Sequence, residues 1–180
     1  MEEIRLKCRC GQTAMVAAGR PIIAAECHCT SCRTAAGMME ALPDAVPERA
    51  PTGGTQFVLQ RKDRVTFADD QDMLRCFRLT PNATTRRVIA TCCNTPMFLE
   101  FFAGHWLSLY AARWPDGERP AMDLRTMTKD RISGDPLPND MPNPKSHTAS
   151  FMFRLLGAWV AMGFRNPKIT AGQKEMTLHG

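Results

Sequence analysis

Aromatic residues are scarce in this sequence: Phe, Trp and Tyr together make up 7% of it, and there is a single tyrosine. Basic and aromatic residues do not alternate as they do on surfaces that stack against bases, so nucleic acid is not an expected partner. No uninterrupted apolar run reaches the roughly 18 to 20 residues that a membrane-spanning helix requires. No apolar stretch precedes the first cysteine either, which argues against a secretory signal. These absences predict a cytoplasmic protein without a membrane span.

The chain is long enough for one domain with a hydrophobic core, since its 180 residues are 44% apolar and 23% charged. The formal net charge is +5, and residues 141–180 contribute most of it. We interpret this basic segment as a solvated face. The predicted organisation is a β domain over residues 1–115 and a loop-rich extension over residues 116–180, whose C-terminal helix packs on the same domain.

Short alternating segments separated by turns predict a mainly β fold. Ile4 to Cys8 alternates apolar and polar residues, which is the period-two pattern of a half-buried strand. Proline-rich stretches at residues 42–54 and 115–144 predict loops. The last two strand-like segments are joined across Gly104 and predict a β-hairpin. The segments after the first are Ile22 to Ala25, Gln56 to Gln60, Leu74 to Leu79, Arg87 to Ala90, Met97 to Phe101 and Trp106 to Tyr110.

A different periodicity near the end predicts an α-helix from Phe151 to Arg165. Ser150 can cap its first turn, and Asn166-Pro167 can end it. The apolar side chains fall on one broad face, which favours a helix docked on the core over a helix that lies at a membrane surface or binds a partner. These side chains are Phe151, Leu155, Leu156, Trp159 and Met162.

Eight cysteines need an explanation, because permanent disulfides are rare in a reducing compartment and clustered cysteines there bind metal or do chemistry. The strongest cluster places Cys27, Cys29 and Cys32 within six residues, with the Cys-x-x-Cys spacing of a zinc knuckle. Zinc prefers four ligands, and catalytic sites leave the fourth position to water or substrate. The cluster predicts such an open zinc site; alternatively, Cys76 or His105 closes it.

The sequence supports a separate prediction for each of four further residues, which lie near this cluster or could join it. His28 lies between two cysteines and is expected to project away from the metal, behind the ligands or at the surface. Arg33 directly follows the cluster and is either a surface charge or the cation that binds an anionic substrate. Cys76 lies in a strand-like run and is more typical of a buried, inert thiol. No general base stands out, and His28 and His105 are the candidates.

The other two cysteine clusters predict a second zinc site. Cys8 and Cys10 can chelate one ion only across a sharp turn, which the following glycine permits. Cys92 and Cys93 are adjacent, and side chains of adjacent residues in an extended chain point to opposite faces. Asn94 tolerates the left-handed conformation, so a tight turn there is expected. We predict that one of the pair, with Cys93 favoured, joins Cys8 and Cys10. The domain predicted over residues 1–115 is therefore a zinc-binding one.

The order of these motifs resembles the glutathione-dependent formaldehyde-activating enzyme family, which includes centromere protein V. The resemblance rests on Cys-x-Cys-Gly at residues 8–11, on Cys-His-Cys-x-x-Cys-Arg at residues 27–33, and on Cys93 with Thr-Pro shortly after it. It covers roughly residues 4–112. It implies antiparallel sheets, one or two zinc ions per chain, and a carbon-sulfur lyase that acts on the adduct of glutathione and formaldehyde.

The resemblance also implies a role for each cluster. A structural zinc would be held by Cys8, Cys10 and Cys93 with a partner, and a catalytic zinc by the cysteines at 27, 29 and 32. The family's last motif is Cys-x-x-Cys-Gly-Thr, whereas this sequence has Ala90 and Asn94 in place of its first cysteine and its glycine. Either Cys92 takes over by a local shift of the backbone, or the structural site has three ligands or is lost.

Three functional interpretations follow. The first is a zinc-dependent, carbon-sulfur lyase-like enzyme for adducts of an aldehyde with a small thiol such as glutathione. The second is a non-catalytic zinc module that binds a partner through its basic C-terminal region. The third, a thiol redox switch at Cys92 and Cys93, is disfavoured because a disulfide between adjacent cysteines needs a strained ring. The sequence does not predict an oligomeric state.

Overall fold

The computed structural model describes residues 2–68, 72–132 and 134–178. The predicted ranges 1–115 and 116–180 each include a few residues that lie outside these described segments. The described residues form ten strands, two α-helices and three single-turn 3-10 helices. The mainly β class predicted from the sequence is confirmed. Three strands form a small antiparallel sheet in the order β1-β2-β5. They are β1 (Glu3–Lys7), β2 (Ala14–Ala18) and β5 (Val65–Phe67).

The other seven strands form a large sheet in the order β10-β3-β4-β9-β8-β7-β6. All neighbours in it are antiparallel except β10, which pairs parallel to β3. The sheet is therefore mixed. Its strands are β3 (Ile23–Cys27), β4 (Thr55–Arg61), β6 (Leu74–Phe77), β7 (Thr85–Ala90), β8 (Thr95–Phe101), β9 (Trp106–Tyr110) and β10 (Leu124–Thr126).

The predicted hairpin is confirmed, because β8 and β9 pair antiparallel with Phe98 opposite Leu109. Three short strands, β2, β5 and β10, were not predicted. The last of them lies inside the stretch 115–144 that was expected to be a loop. Strands of three to five residues leave little periodicity to detect.

Both faces of the large sheet are buried, which gives the protein two hydrophobic cores. One core packs residues of the large sheet such as Val58 and Phe98 against Leu6 and Met15 of the small sheet. The other packs the opposite face against the two α-helices. Strands buried on both faces are continuously apolar, so the two-residue alternation of a half-buried strand is lost in them.

Helix α1 (Thr30–Glu40) was not predicted. It begins inside the central cysteine cluster: Cys29 is its N-cap, and the Cys29 sulfur accepts a hydrogen bond from the Cys32 N–H at 3.4 Å. A cysteine is not among the usual N-cap residues, so the start carries no standard signal. The helix buries Cys32, Ala35, Ala36 and Met39, a helical spacing of three and four residues.

Helix α2 (Ala149–Ala161) confirms the predicted C-terminal helix, although its bounds differ. Thr148, and not Ser150, caps it, since the Thr148 hydroxyl accepts a hydrogen bond from the Phe151 N–H at 3.1 Å. It ends before Asn166-Pro167, because Gly163 and Phe164 adopt left-handed conformations with φ of 61° and 57°. Left-handed residues are a common way to end a helix.

The predicted apolar face of α2 is only partly buried. Phe151, Leu155 and Met162 are buried, whereas Leu156 and Trp159 remain exposed. The helix is held to the sheet by His105, whose Nε2 lies 2.8 Å from the Leu155 carbonyl oxygen, and by stacking of His105 on Trp159. Among the described residues, neither α-helix has the length and apolarity needed to cross a bilayer. The 3-10 helices are Lys62–Arg64, Ala111–Arg113 and Thr128–Asp130.

Candidate metal centres

Seven of the eight cysteines gather in two clusters, and none of the eight, all of which the structure describes, forms a disulfide. The first and last cysteine motifs of the chain together form a four-sulfur cluster, and the central motif forms a three-sulfur cluster. Within each cluster all sulfurs lie within 4.8 Å of one another. The four-sulfur cluster consists of Cys8, Cys10, Cys92 and Cys93, and the three-sulfur cluster consists of Cys27, Cys29 and Cys32.

The four-sulfur cluster has the spacing of a tetrahedral zinc site. The Cys10 and Cys92 sulfurs are 3.3 Å apart, those of Cys8 and Cys10 are 3.6 Å apart, and those of Cys92 and Cys93 are 3.9 Å apart. A tetrahedron with Zn–S bonds of about 2.3 Å has sulfurs about 3.8 Å apart. The donor set and its spacing therefore fit one zinc ion.

The local backbone explains how two adjacent cysteines reach one point. Residues 91–94 form a turn between β7 and β8, and Asn94 adopts the expected left-handed conformation with φ of 48°. A β-bulge near Ile89 and Pro96 shifts the strand register just beyond this turn. The sequence predicted that one of the pair joins the cluster, and the structure brings the sulfurs of both Cys92 and Cys93 to it.

The environment of the four-sulfur cluster shifts the pKa values of its thiols in different directions. Burial raises the pKa of Cys8 and of Cys92. Burial alone would also raise the pKa of Cys93, but hydrogen bonds from Thr95 and from the backbone of Cys10 lower it to about 6. The Thr95 hydroxyl oxygen lies 3.0 Å from the Cys93 sulfur. Deprotonation at Cys93 provides the thiolate form that a metal requires.

The three-sulfur cluster lies where strand β3 passes into helix α1. Cys27 ends the strand, Cys29 caps the helix and Cys32 lies in its first turn. Hydrogen bonds from Cys27 and Cys32 lower the pKa of Cys29, while the contact with Cys29 raises the pKa of Cys27. The Cys29 sulfur lies at the N-terminus of α1, where the helix dipole favours a thiolate.

Among the described residues, no fourth Cys, His, Asp or Glu ligand joins the three-sulfur cluster. Cys76, one predicted candidate, is buried in β6 and its sulfur lies 3.8 Å from the Gln173 carbonyl oxygen. His105, the other, contacts the Leu155 carbonyl oxygen. The three sulfurs fit a zinc ion whose fourth position is not supplied by either candidate.

A buried polar network supports the loop behind the three-sulfur cluster. His28 is buried, not at the surface, and its Nε2 lies 2.8 Å from Glu26 Oε1. Thr52 and Gln56 also donate to the Glu26 carboxylate, and the Arg125 guanidinium lies 3.3 Å from it. Burial alone would raise the pKa of Glu26, but the hydrogen bonds from His28, Thr52 and Gln56 lower it to about 2. These neighbouring side chains thus keep the Glu26 carboxylate, on the same strand as Cys27, in its ionised form.

A cavity of about 230 Å³ adjoins the three-sulfur cluster. Six neighbouring strands, β10, β3, β4, β9, β8 and β7, supply residues to it, and the start of α1, His147 and the first turn of α2 complete the wall. Most of the side-chain surface is apolar. The larger apolar residues are Phe57, Leu59, Leu99, Phe101, Trp106 and Phe151.

Two residues at this cavity were missed by sequence reasoning. Arg87, on β7, donates from Nη2 to the Ser31 hydroxyl at 2.7 Å and to the Ser31 carbonyl at 3.2 Å. His147 lies 3.1 Å from the Thr126 hydroxyl, and Thr126 pairs with Cys27 across β10 and β3. No local motif marks either residue, because sheet pairing and the chain after β10 bring them to the cluster.

Three residues predicted as candidates for the site do not line the cavity. Arg33 is half-buried, donates to the Thr30 hydroxyl at 3.3 Å and does not line the cavity. His28 and His105, the predicted candidates for a general base, do not line it either. The histidine that does is His147.

The fold and the two clusters define a β protein with two cysteine centres that can each hold a metal ion. A family model described as "glutathione-dependent formaldehyde-activating enzyme" matches residues 3–103, more than half of the chain. The chain belongs to this family. No curated protein matches it. The matched residues include every cysteine of both clusters and Arg87, while His147 and Phe151 lie beyond the match.

Proposed function

We propose that this protein is a zinc-dependent, carbon-sulfur lyase-like enzyme that makes or breaks the bond between a thiol sulfur and the carbonyl carbon of a small aldehyde. The observation that carries the proposal is the asymmetry of the centres: the three-sulfur cluster lacks a fourth protein ligand among the described residues and borders a cavity. Family membership supports the same chemistry and makes the adduct of glutathione and formaldehyde the first substrate to test.

Cys27, Cys29 and Cys32 would hold the catalytic zinc. An ion bound by three thiolates has a net charge near −1 and a weakened Lewis acidity, so it supplies an exchangeable position for a fourth sulfur and does not strongly activate water. The other zinc would be structural, held by Cys8 and Cys10 with Cys92 and Cys93, the pair on the β7–β8 turn.

The bond changes balance without a redox partner. In the forward direction the thiol loses its proton, its sulfur forms a bond to the carbonyl carbon, and the C=O electron pair moves to the oxygen, which takes up a proton. The reverse steps break the C–S bond. The chain's own part is to position these groups: Arg87 fixes the loop through Ser31, and the apolar walls limit the access of water.

The test begins with metal content. Native mass spectrometry of protein purified without chelators should find two zinc ions per chain, and Cys29→Ser should remove one. Exchange NMR with glutathione and formaldehyde should then show adduct exchange faster than in buffer, and Cys29→Ser should abolish the acceleration. A metal-free, folded protein would overturn the proposal.

X-ray absorption separates the enzyme from the non-catalytic zinc module. The enzyme requires a light-atom ligand at one of the two zinc ions in the absence of thiol, and an added thiol should replace it with sulfur. Four sulfurs at every zinc before any thiol is added would favour the module, in which both metals only stabilise the fold.

A further inference from the structure

The cavity beside the three-sulfur cluster has an unusual balance of charge. Arg87 is the one Lys or Arg side chain among its described lining residues, none of which is Asp or Glu, so any negative charge in the lining lies on the cysteine sulfurs. The polar groups beside it are hydroxyls such as Ser31, Ser108 and Thr126, and the ring of His147. The remaining wall is largely aliphatic and aromatic, which favours a ligand with an apolar body and few charged groups.

Arg87 has N–H donors that none of the described residues uses. Its side chain is buried, with 1% of the residue exposed. Its Nη2 is used by Ser31, but its Nε and Nη1 have no hydrogen-bond partner among the described residues. Buried N–H groups without partners cost free energy, and a carboxylate oxygen that accepts a charge-assisted hydrogen bond from Nη1 or Nε would satisfy one of them while Nη2 stays on Ser31.

Glutathione matches this cavity poorly. It is a tripeptide with two carboxylates and one ammonium group, whereas the cavity lining offers one guanidinium and no carboxylate. Its volume of about 230 Å³ is also below the roughly 300–1,000 Å³ that is typical of small-molecule sites. A glutathione sulfur at the cluster would leave charged groups in apolar surroundings without partners or outside the cavity.

We propose that the cavity selects a small thiol with an apolar substituent and a single carboxylate, and that Arg87 binds this carboxylate while the sulfur points to the three-sulfur cluster. The inference rests on the proposed function only for the position of the sulfur. The contact of Arg87 with Ser31, between Cys29 and Cys32 in the chain, places the cation beside the cluster, so few bonds separate carboxylate and sulfur in the ligand.

The first experiment measures the carboxylate site without any thiol. The probe is 3-phenylpropanoate, its matched control is its methyl ester, and binding to the zinc-loaded protein is followed by calorimetry and by the fluorescence of Trp106. The acid should bind at least about tenfold more tightly than the ester, and Arg87→Met should weaken the acid by ~10- to 100-fold and leave the ester unchanged. Arg87→Lys should restore part of the affinity.

Arg33→Met is the matched control, because it removes an arginine that lies in α1 next to the cysteine cluster but does not line the cavity. It should leave the binding of both probes unchanged. Equal affinities of acid and ester, or a loss in Arg33→Met as large as in Arg87→Met, would overturn the inference. If Arg87→Met fails to fold, Ser31→Ala and Arg87→Lys provide the comparison, and identical acid binding in both variants and the parent protein would also overturn it.

The second experiment adds the sulfur. With 2-mercapto-3-phenylpropanoate, calorimetry should show binding roughly tenfold or more tighter than that of glutathione, because the benzyl group is buried in the cavity. Tighter binding of glutathione would overturn the inference while leaving the proposed function intact. If carboxylate binding depends on Arg87 but the zinc exchanges no thiol, the proposed function is wrong and the anion site at Arg87 is still supported.

Discussion

The two cysteine clusters differ in how many sulfurs they contain and in what lies beside them. The four-sulfur cluster packs against the core between the two sheets, and its cysteines come from segments about 80 residues apart. The three-sulfur cluster packs against the core on the helical face of the large sheet, comes from one six-residue segment and borders a cavity. A metal in the first cluster would cross-link distant parts of the chain, whereas a metal in the second would close only a local loop.

The largest expected effect is therefore on the four-sulfur cluster. Cys92→Ser should lower the free energy of unfolding by more than about 4 kcal/mol, because loss of a structural metal is among the most destabilising changes. Cys29→Ser should remove the other zinc and the activity with a much smaller loss of stability. Chemical denaturation and native mass spectrometry of both variants measure the difference. Equal destabilisation by the two substitutions would remove the distinction between a structural and a functional centre.

The polar network under the three-sulfur cluster provides a sharper test. A Cβ atom at Gly54 would lie 2.6 Å from Glu26 Cγ and 2.8 Å from His28 Nε2. Gly54→Ala should cost about 1–3 kcal/mol, and it should weaken zinc binding at the three-sulfur cluster but not at the four-sulfur cluster.

Gly37→Ala is its control, since no atom lies within 4 Å of a Cβ there and Gly37 is in α1. Alanine in that helix should stabilise the protein by roughly 0.5–1 kcal/mol. Competition with a chelator measures zinc affinity in both variants. Loss of zinc from the two clusters in parallel would show that the network does not act on one centre alone.

The packing of α2 on one face of the large sheet should depend on pH. Burial lowers the pKa of His105, and its hydrogen bond to Leu155 opposes this only partly. A group whose pKa is lower in the folded state contributes stability above its unfolded pKa of about 6.5 and loses that contribution as the pH falls. Acidification from pH 7.5 to 5.5 should therefore loosen α2, seen as a change in Trp159 fluorescence. His105→Gln should flatten this response; an unchanged response would assign it to another group.

The smallest effect is expected at Arg33, which the sequence offered as the cation for an anionic substrate. It does not line the cavity. Arg33→Met should change the free energy of unfolding by no more than about 0.5 kcal/mol and leave thiol exchange unaltered, as expected for a substitution away from the site. Exchange NMR and denaturation measure both. A loss of exchange would return the anion-binding role to Arg33.

Prediction from sequence succeeded where the signal is local. Cys27, Cys29 and Cys32 are close in the chain, and the hairpin of β8 and β9 is joined by a short loop that contains Gly104. It failed for α1, whose first turn is capped by a ligand-type cysteine, and for β10, whose three residues carry no periodicity. The end of α2 was also misplaced, because left-handed residues stopped the helix before the proline did.

The sequence by itself indicated the class of protein, the family and the cysteine motifs that form the clusters, because cysteine spacing and turn-forming residues are properties of neighbouring residues. Only the tertiary structure decided that both Cys92 and Cys93 reach Cys8 and Cys10, and that Arg87, not Arg33, lies beside the cavity. The physical reason is that strand register and a β-bulge set these positions. The bulge belongs to the local pair of β7 and β8, but the contacts of Cys92 with Cys8 and Cys10, and of Arg87 with Ser31, join segments distant in the chain, which no short segment specifies.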